Sequence, residues 1–160
     1  MTFESGKAGL LVDTNLLVLF AVGSVNRRRI EVFKRTRQYT IGDFELLLRV
    51  LGNRSSLYTV AHVLAEVSNL TDLPGLERHL VREILKQTIS LLTEAEIASA
   101  RAADEPVYPR LGLVDAAIAA VAREHKCTVL TDDLDLYLAL QRDQIEVINF
   151  THMRERVWGA

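Results

Sequence analysis

At 160 residues, 49% hydrophobic and 25% charged, the chain has the composition of one globular domain able to bury a core. A formal net charge of −2 and an aromatic content of 6% give no global sign of a basic nucleic-acid surface or a base-stacking platform. One cysteine, Cys127 in the apolar run KCTVL, excludes an internal disulfide and a cysteine-rich zinc site.

In chain order, Leu10 to Val12 is a continuous apolar run, as expected of a strand covered on both faces. Leu16 to Ala21 reads as a helix and Val25 to Arg37 as a second, basic one. Asp43 to Leu51 repeats apolar residues at helical spacing, and Gly52-Asn53 closes it. Leu57 to Val60 is the second expected strand, followed by a helix from about Ala61 to Leu70. Leu73-Pro74-Gly75 breaks the chain before a helix from about Leu76 to Lys86. Thr88 to Leu92 reads as a third strand, and Thr93 with Glu96 as a T-x-x-E capping box opening the next helix. Pro106 and Pro109 mark a loop before an alanine-rich helix from Val114 to Glu124. Thr128 to Leu130 is a fourth strand, Leu134 to Gln141 a helix and Glu146 to Asn149 a last strand; the C-terminal MRERVWGA is too short to interpret.

This alternation predicts an α/β fold: a three-layer α/β/α sandwich, residues 1–160, around a central, mostly parallel sheet of about five strands. No apolar run reaches the roughly 20 residues of a membrane span, since Asp13 and Asn15 interrupt the one from Leu10 to Val22. The expected location is cytoplasmic.

Four acidic residues stand out, three of them beside or inside apolar segments: Asp13 after Leu-Leu-Val, Glu66 in HVLAEVSNL, Asp115 in GLVDAAIAAVA and Asp133 in CTVLTDDLDL. Carboxylates in such places are expected to be paired or to face a cation. Gathered by the fold, they would form a hard, all-oxygen site suited to Mg2+ or Mn2+. Asp13 and Asp133 follow expected strands one and four, so they point at the crevice where parallel sheets bind ligands. Each residue also has a plainer reading: Asp13 and Asp115 as helix caps, Glu66 as a solvated helix residue, the Asp132-Asp133 pair as the cap of the next helix. His62 and Asn69 share the face of Glu66. Arg27, Arg28, Arg29, Lys34, Arg35 and Arg37 form the one marked basic cluster, either a solvated face or a patch tracking RNA phosphates.

In order along nearly the whole chain, the D-T-N after the first strand, the helical V-L-A-E, the D-A-A-I-A-A helix and the strand ending T-x-D resemble the PIN-domain nucleases, in particular VapC-type toxins. The resemblance implies that Asp13, Glu66, Asp115 and Asp133 are catalytic and hold Mg2+ or Mn2+, with Asn15 and Thr131 supporting them. The T-x-D pattern selects Asp133, with Asp132 and Asp135 as substitutes. The activity implied is a divalent-metal-dependent endoribonuclease working through metal-activated water, with an RNA substrate, a cognate antitoxin and a homodimer or higher oligomer as partners. A catalytically weak RNA- or protein-binding module on the same fold is the alternative. Haloacid-dehalogenase-like phosphatases are disfavoured, because Asn15 stands where they need a second aspartate.

Overall fold

The computed structural model describes residues 8–159. Its core is β1 (Leu10–Val12), whose three residues are all buried between parallel neighbours. Asp13 caps α1 (Thr14–Val25), which buries Leu16, Leu17, Val18 and Leu19 in succession, as a helix in the interior does. This helix runs four residues further than the sequence suggests, to its cap at Asn26.

The expected basic helix from Val25 to Arg37 does not form. A 3-10 turn covers only Arg27–Arg29, and turns carry the chain to Thr40. The physical reason is tertiary. Ile30, Thr36 and Tyr39 are all buried, a spacing no single helix face provides, and the Thr36 hydroxyl ties the turns together by donating to the Ile30 carbonyl at 2.8 Å. The helix α2 (Ile41–Gly52) then starts at a capping box that the sequence reading missed, with Thr40 and Asp43 exchanging side-chain and backbone hydrogen bonds.

After β2 (Leu57–Thr59), α3 (Ala61–Leu70) packs Val63 and Val67 inward. The next helix, α4 (Gly75–Leu91), absorbs most of the segment expected as a third strand. Thr88 and Ile89 are β-branched, but Val81 and Leu85 are buried one turn apart, and the Thr88 hydroxyl bonds back to the Ile84 carbonyl at 2.8 Å. The third strand is instead β3 (Thr93–Glu94), an exposed two-residue edge. Thr93 therefore caps nothing, and α5 (Ser99–Ala103) opens without a side-chain cap. The loop expected around Pro106 and Pro109 contains a single turn of helix, α6 (Tyr108–Leu111).

The alanine-rich helix is α7 (Leu113–His125), followed by β4 (Thr128–Thr131), α8 (Leu134–Arg142) and β5 (Val147–Asn149). A final helix, α9 (Phe150–Trp158), was not expected; the Asn149 side chain caps it by accepting from the His152 N–H. Among the described residues the five strands are all parallel, in the order β3-β2-β1-β4-β5. Leu10 is in register with Leu57 on one side and Thr128 on the other. With right-handed crossovers this is a three-layer α/β/α sandwich, as expected. The chain builds outward from β1 to β3, then returns to lay β4 on the other flank of β1. The topological switch therefore lies between β1 and β4, and their carboxyl ends open the crevice.

Outside that crevice, one buried carboxylate is satisfied by two ion pairs. Glu105, 4% exposed, receives Arg123 at 2.9 Å and Arg101 at 3.0 Å, tying α5 and the following loop to α7. Burial works against its ionisation, but the two guanidinium groups outweigh it and hold the carboxyl below its ordinary range.

Candidate functional site

An open pocket of about 360 Å³ lies at the switch point, and its walls include Asp13, Thr14, Asn15, Glu66, Asp115 and Asp133. All four acidic residues singled out from the sequence thus face one space. Each arrives by a different route. Asp13 immediately follows β1. Glu66 lies between the buried Val63 and Val67 on the inward side of α3. Asp115 sits in the first turn of α7, behind Gly112, whose φ of +87° and ψ of −178° turn the chain into the helix. The buried alanines 116, 117, 119 and 120 remove side-chain bulk from α7 and let its first turn approach the sheet. Asp133 closes the turn after β4 and caps α8, accepting from the Leu136 N–H at 3.1 Å.

Asp13 is only 5% exposed and is held at both oxygens. Its Oδ1 accepts from the Thr14 N–H at 2.7 Å, and its Oδ2 from the Thr131 hydroxyl at 2.6 Å. Thr131 in turn accepts from the Asp133 N–H at 3.0 Å, so one hydroxyl links the ends of β1 and β4. Asn15 is exposed at the pocket wall and takes no part in holding Asp13.

The electrostatics are those of crowded, partly dehydrated carboxylates. Burial, and then the facing Asp13, Asp133 and Glu66 carboxylates, push Asp115 up to about 7. Burial raises Asp13 to about 6, against the lowering hydrogen bonds from Thr131 and Thr14; Asp132 and Asp133 add to the rise. Such an arrangement is relieved by a proton or by a cation. The donors are all oxygen, the set preferred by Mg2+ and Mn2+. The Thr14 hydroxyl, on the same wall, is buried with no hydrogen-bond partner, an orphaned polar atom that a hydrated ion would satisfy. Among the described residues no three acidic, histidine or cysteine side chains converge into a ready-made cage. The residues fit an ion that keeps several of its waters, as Mg2+ does, better than a fully enclosed one.

The neighbouring candidates are placed differently. Asp135 is exposed and pairs with Arg110 at 3.3 Å. Asp132 is not among the residues lining the pocket and accepts from the Tyr39 hydroxyl. His62 reaches Ser99 at 2.8 Å, and Asn69 is exposed. The basic cluster does not line the acidic pocket. Arg27 pairs with Glu45 at 2.7 Å, Arg29 with Glu77 at 2.9 Å and Lys34 with Asp72 at 3.4 Å, while Arg28 and Arg35 are exposed. Sequence reasoning missed Thr14 and Tyr39, the first because only burial reveals an orphaned hydroxyl. Tyr39 lies 93 residues from its partner Asp132, with no local pattern to connect them.

The PIN domain family model matches residues 10–139, a span containing every residue of this pocket. No curated protein matches the chain.

Proposed function

The chain belongs to the PIN domain family, whose members are in general nucleases, and from that premise we propose that it is a divalent-metal-dependent endoribonuclease acting as the toxin of a toxin–antitoxin pair. The observation that carries this reading is the pocket at the β1/β4 switch, whose walls carry four carboxylates from four separate parts of the chain. Two of those carboxylates are raised by burial and by their acidic neighbours, as expected of a cation site.

In the proposed mechanism Asp13, Glu66, Asp115 and Asp133 would hold Mg2+ or Mn2+, some of them through water. That ion would supply a water of lowered pKa for attack on an RNA phosphodiester and positive charge beside the leaving 3′ oxygen. The chain supplies the positioning. Thr14 and Thr131 fix both Asp13 oxygens, so this carboxylate does not reorganise when substrate enters. The Thr131 hydroxyl also holds the Asp133 N–H, setting the distance between the two strand ends. Asn15, exposed at the mouth, is placed to contact RNA or ordered water. Arg28 and Arg35 supply charge for the RNA backbone away from the pocket. The products carry a 5′ phosphate and a 3′ hydroxyl.

The test is cleavage of a mixed cellular RNA pool by the purified protein with Mn2+, with Mg2+ and with EDTA, beside Asp13→Asn and Asp115→Asn. Metal-dependent cutting that falls at least a hundredfold in both variants is the expected result. Full activity in both folded variants, or equal cutting in EDTA, overturns the mechanism. Tight Mn2+ binding without any cutting would point to a binding module on the same fold.

A further inference from the structure

Two adjacent aspartates leave β4, but only Asp133 lines the acidic pocket. The other, Asp132, is close enough to raise the Asp13 carboxyl, yet its Oδ2 is engaged by the Tyr39 hydroxyl and its Oδ1 is buried without a partner. A buried carboxylate oxygen left without a donor is uncommon and calls for a reason beyond packing. Tyr39 itself is 1% exposed and is gripped by the C-terminal helix. The Arg154 guanidinium lies 5.3 Å over its ring, and the Phe150 ring meets it edge-on at 6.5 Å. Arg154 also binds the Gln38 carbonyl at 3.1 Å and the buried Asp43 at 2.8 Å, while the Trp158 indole N–H donates to the same Asp43 at 3.2 Å. Helix α9 lies beyond the residues matched to the family.

We propose that Tyr39 is a positioning residue for the acidic pocket: it holds Asp132 aside, so that Asp133 is the carboxylate the turn after β4 presents, with α9 as the support behind it. The inference rests on the metal-site reading above. A second free carboxylate on that turn would strengthen the pocket's pull on a cation but would contend with Asp133 for it, drawing the ion off the position that suits the reacting phosphate. A hydroxyl donating to that carboxylate is a charge-assisted bond strong enough to fix the turn. Burial first, and then Asp132, hold the Tyr39 phenol well above its ordinary range, so it remains a donor at any working pH. A tyrosine serving packing alone would affect stability when its hydroxyl was removed, and would not set kcat through Asp132.

The experiment compares wild type, Tyr39→Phe, Arg154→Met and each of these two combined with Asp132→Asn. Mn2+ affinity is followed by electron paramagnetic resonance, kcat and KM on RNA are measured separately, and thermal melts control for folding. Tyr39→Phe is expected to lose about tenfold in kcat rather than KM, to bind Mn2+ at least as tightly as wild type and to change the line shape of the bound Mn2+, as the released Asp132 joins the ion. Arg154→Met moves in the same direction, with a loss in kcat of about threefold. Adding Asp132→Asn to either variant restores the wild-type line shape and kcat to within about twofold of wild type, because the errant charge is gone. Unchanged kcat in Tyr39→Phe and Arg154→Met, or a loss that Asp132→Asn does not restore, overturns the inference while leaving the metal site standing. Failure of the wild type to bind Mn2+ overturns both readings together.

Discussion

Asp115 lies where two opposing demands meet. The fold places it among acidic neighbours, and its carboxyl takes up a proton at about 7 where an ordinary aspartate would do so at 3.8. The folded state therefore binds more protons than the unfolded chain between about pH 4 and 7. The contribution to stability is fully present below pH 4 and is lost as pH rises through 7. Without divalent ions, Asp115→Asn should thus stabilise the protein at pH 7.5 by about 2 kcal/mol, allowing for its partial exposure, and have little effect at pH 4. Thermal melts in EDTA at the two pH values check this, and an Asp115→Asn melt no higher than wild type at pH 7.5 would contradict the crowding argument. The same variant should cut RNA at least a hundredfold more slowly, so stability and function pull in opposite directions at this position.

At the scale of elements, helix starts do most of the positioning. Asp13, Asp133 and Asn149 each cap the helix that follows a strand, so the turn that ends β1, β4 or β5 also aims a side chain. Gly112 does this by backbone conformation instead. A Cβ at Gly112 would meet nothing within 4 Å, so its requirement is conformational and not steric. Gly112→Ala should cost about 1–3 kcal/mol of stability through strain at that φ and ψ, and should weaken Mn2+ binding by shifting the first turn of α7. Denaturant unfolding together with an Mn2+ titration measures both effects; loss of stability with intact Mn2+ affinity would mean that α7 re-forms its first turn around the alanine. The contrast with the segment 26–40 is instructive. A basic helix was expected from Val25 to Arg37, but burial of Ile30, Thr36 and Tyr39 and the anchoring of Tyr39 to Asp132 override that pattern.

For the whole molecule, the sheet order decides where chemistry is possible. Because β4 returns beside β1, the two strand ends that carry acidic residues become neighbours, and Thr131 bonds across the gap. An ion bound there links elements that are far apart in sequence, so it should stabilise the folded chain as a unit. At a hundredfold excess over Kd, Mg2+ should add about 2–3 kcal/mol, a rise of several degrees in Tm for a chain of this size. Asp13→Asn should abolish that rise, and an equal rise in wild type and variant would place the ion elsewhere. Among the described residues no helix is long and apolar enough to cross a membrane.

The strands at Leu10, Leu57, Thr128 and Val147 and most of the helices were legible in the amino-acid sequence, and so were the four acidic positions that the fold brings to one pocket. Continuous apolar runs and 3.6-residue periodicity are local signals, and a charged residue beside such a run is visible without coordinates. No local pattern showed that Thr88 to Leu91 is helix, that the basic segment is a set of turns, or that Phe150–Trp158 forms α9. Each of those outcomes is fixed by burial against elements remote in the chain, a contribution that outweighs local propensity. The same holds within the pocket. The sequence favoured Asp133 and kept Asp132 and Asp135 as substitutes, and long-range contacts set the three apart: Tyr39 engages Asp132, Arg110 pairs with Asp135, and Asp133 lines the pocket beside the Asp13 that Thr131 holds.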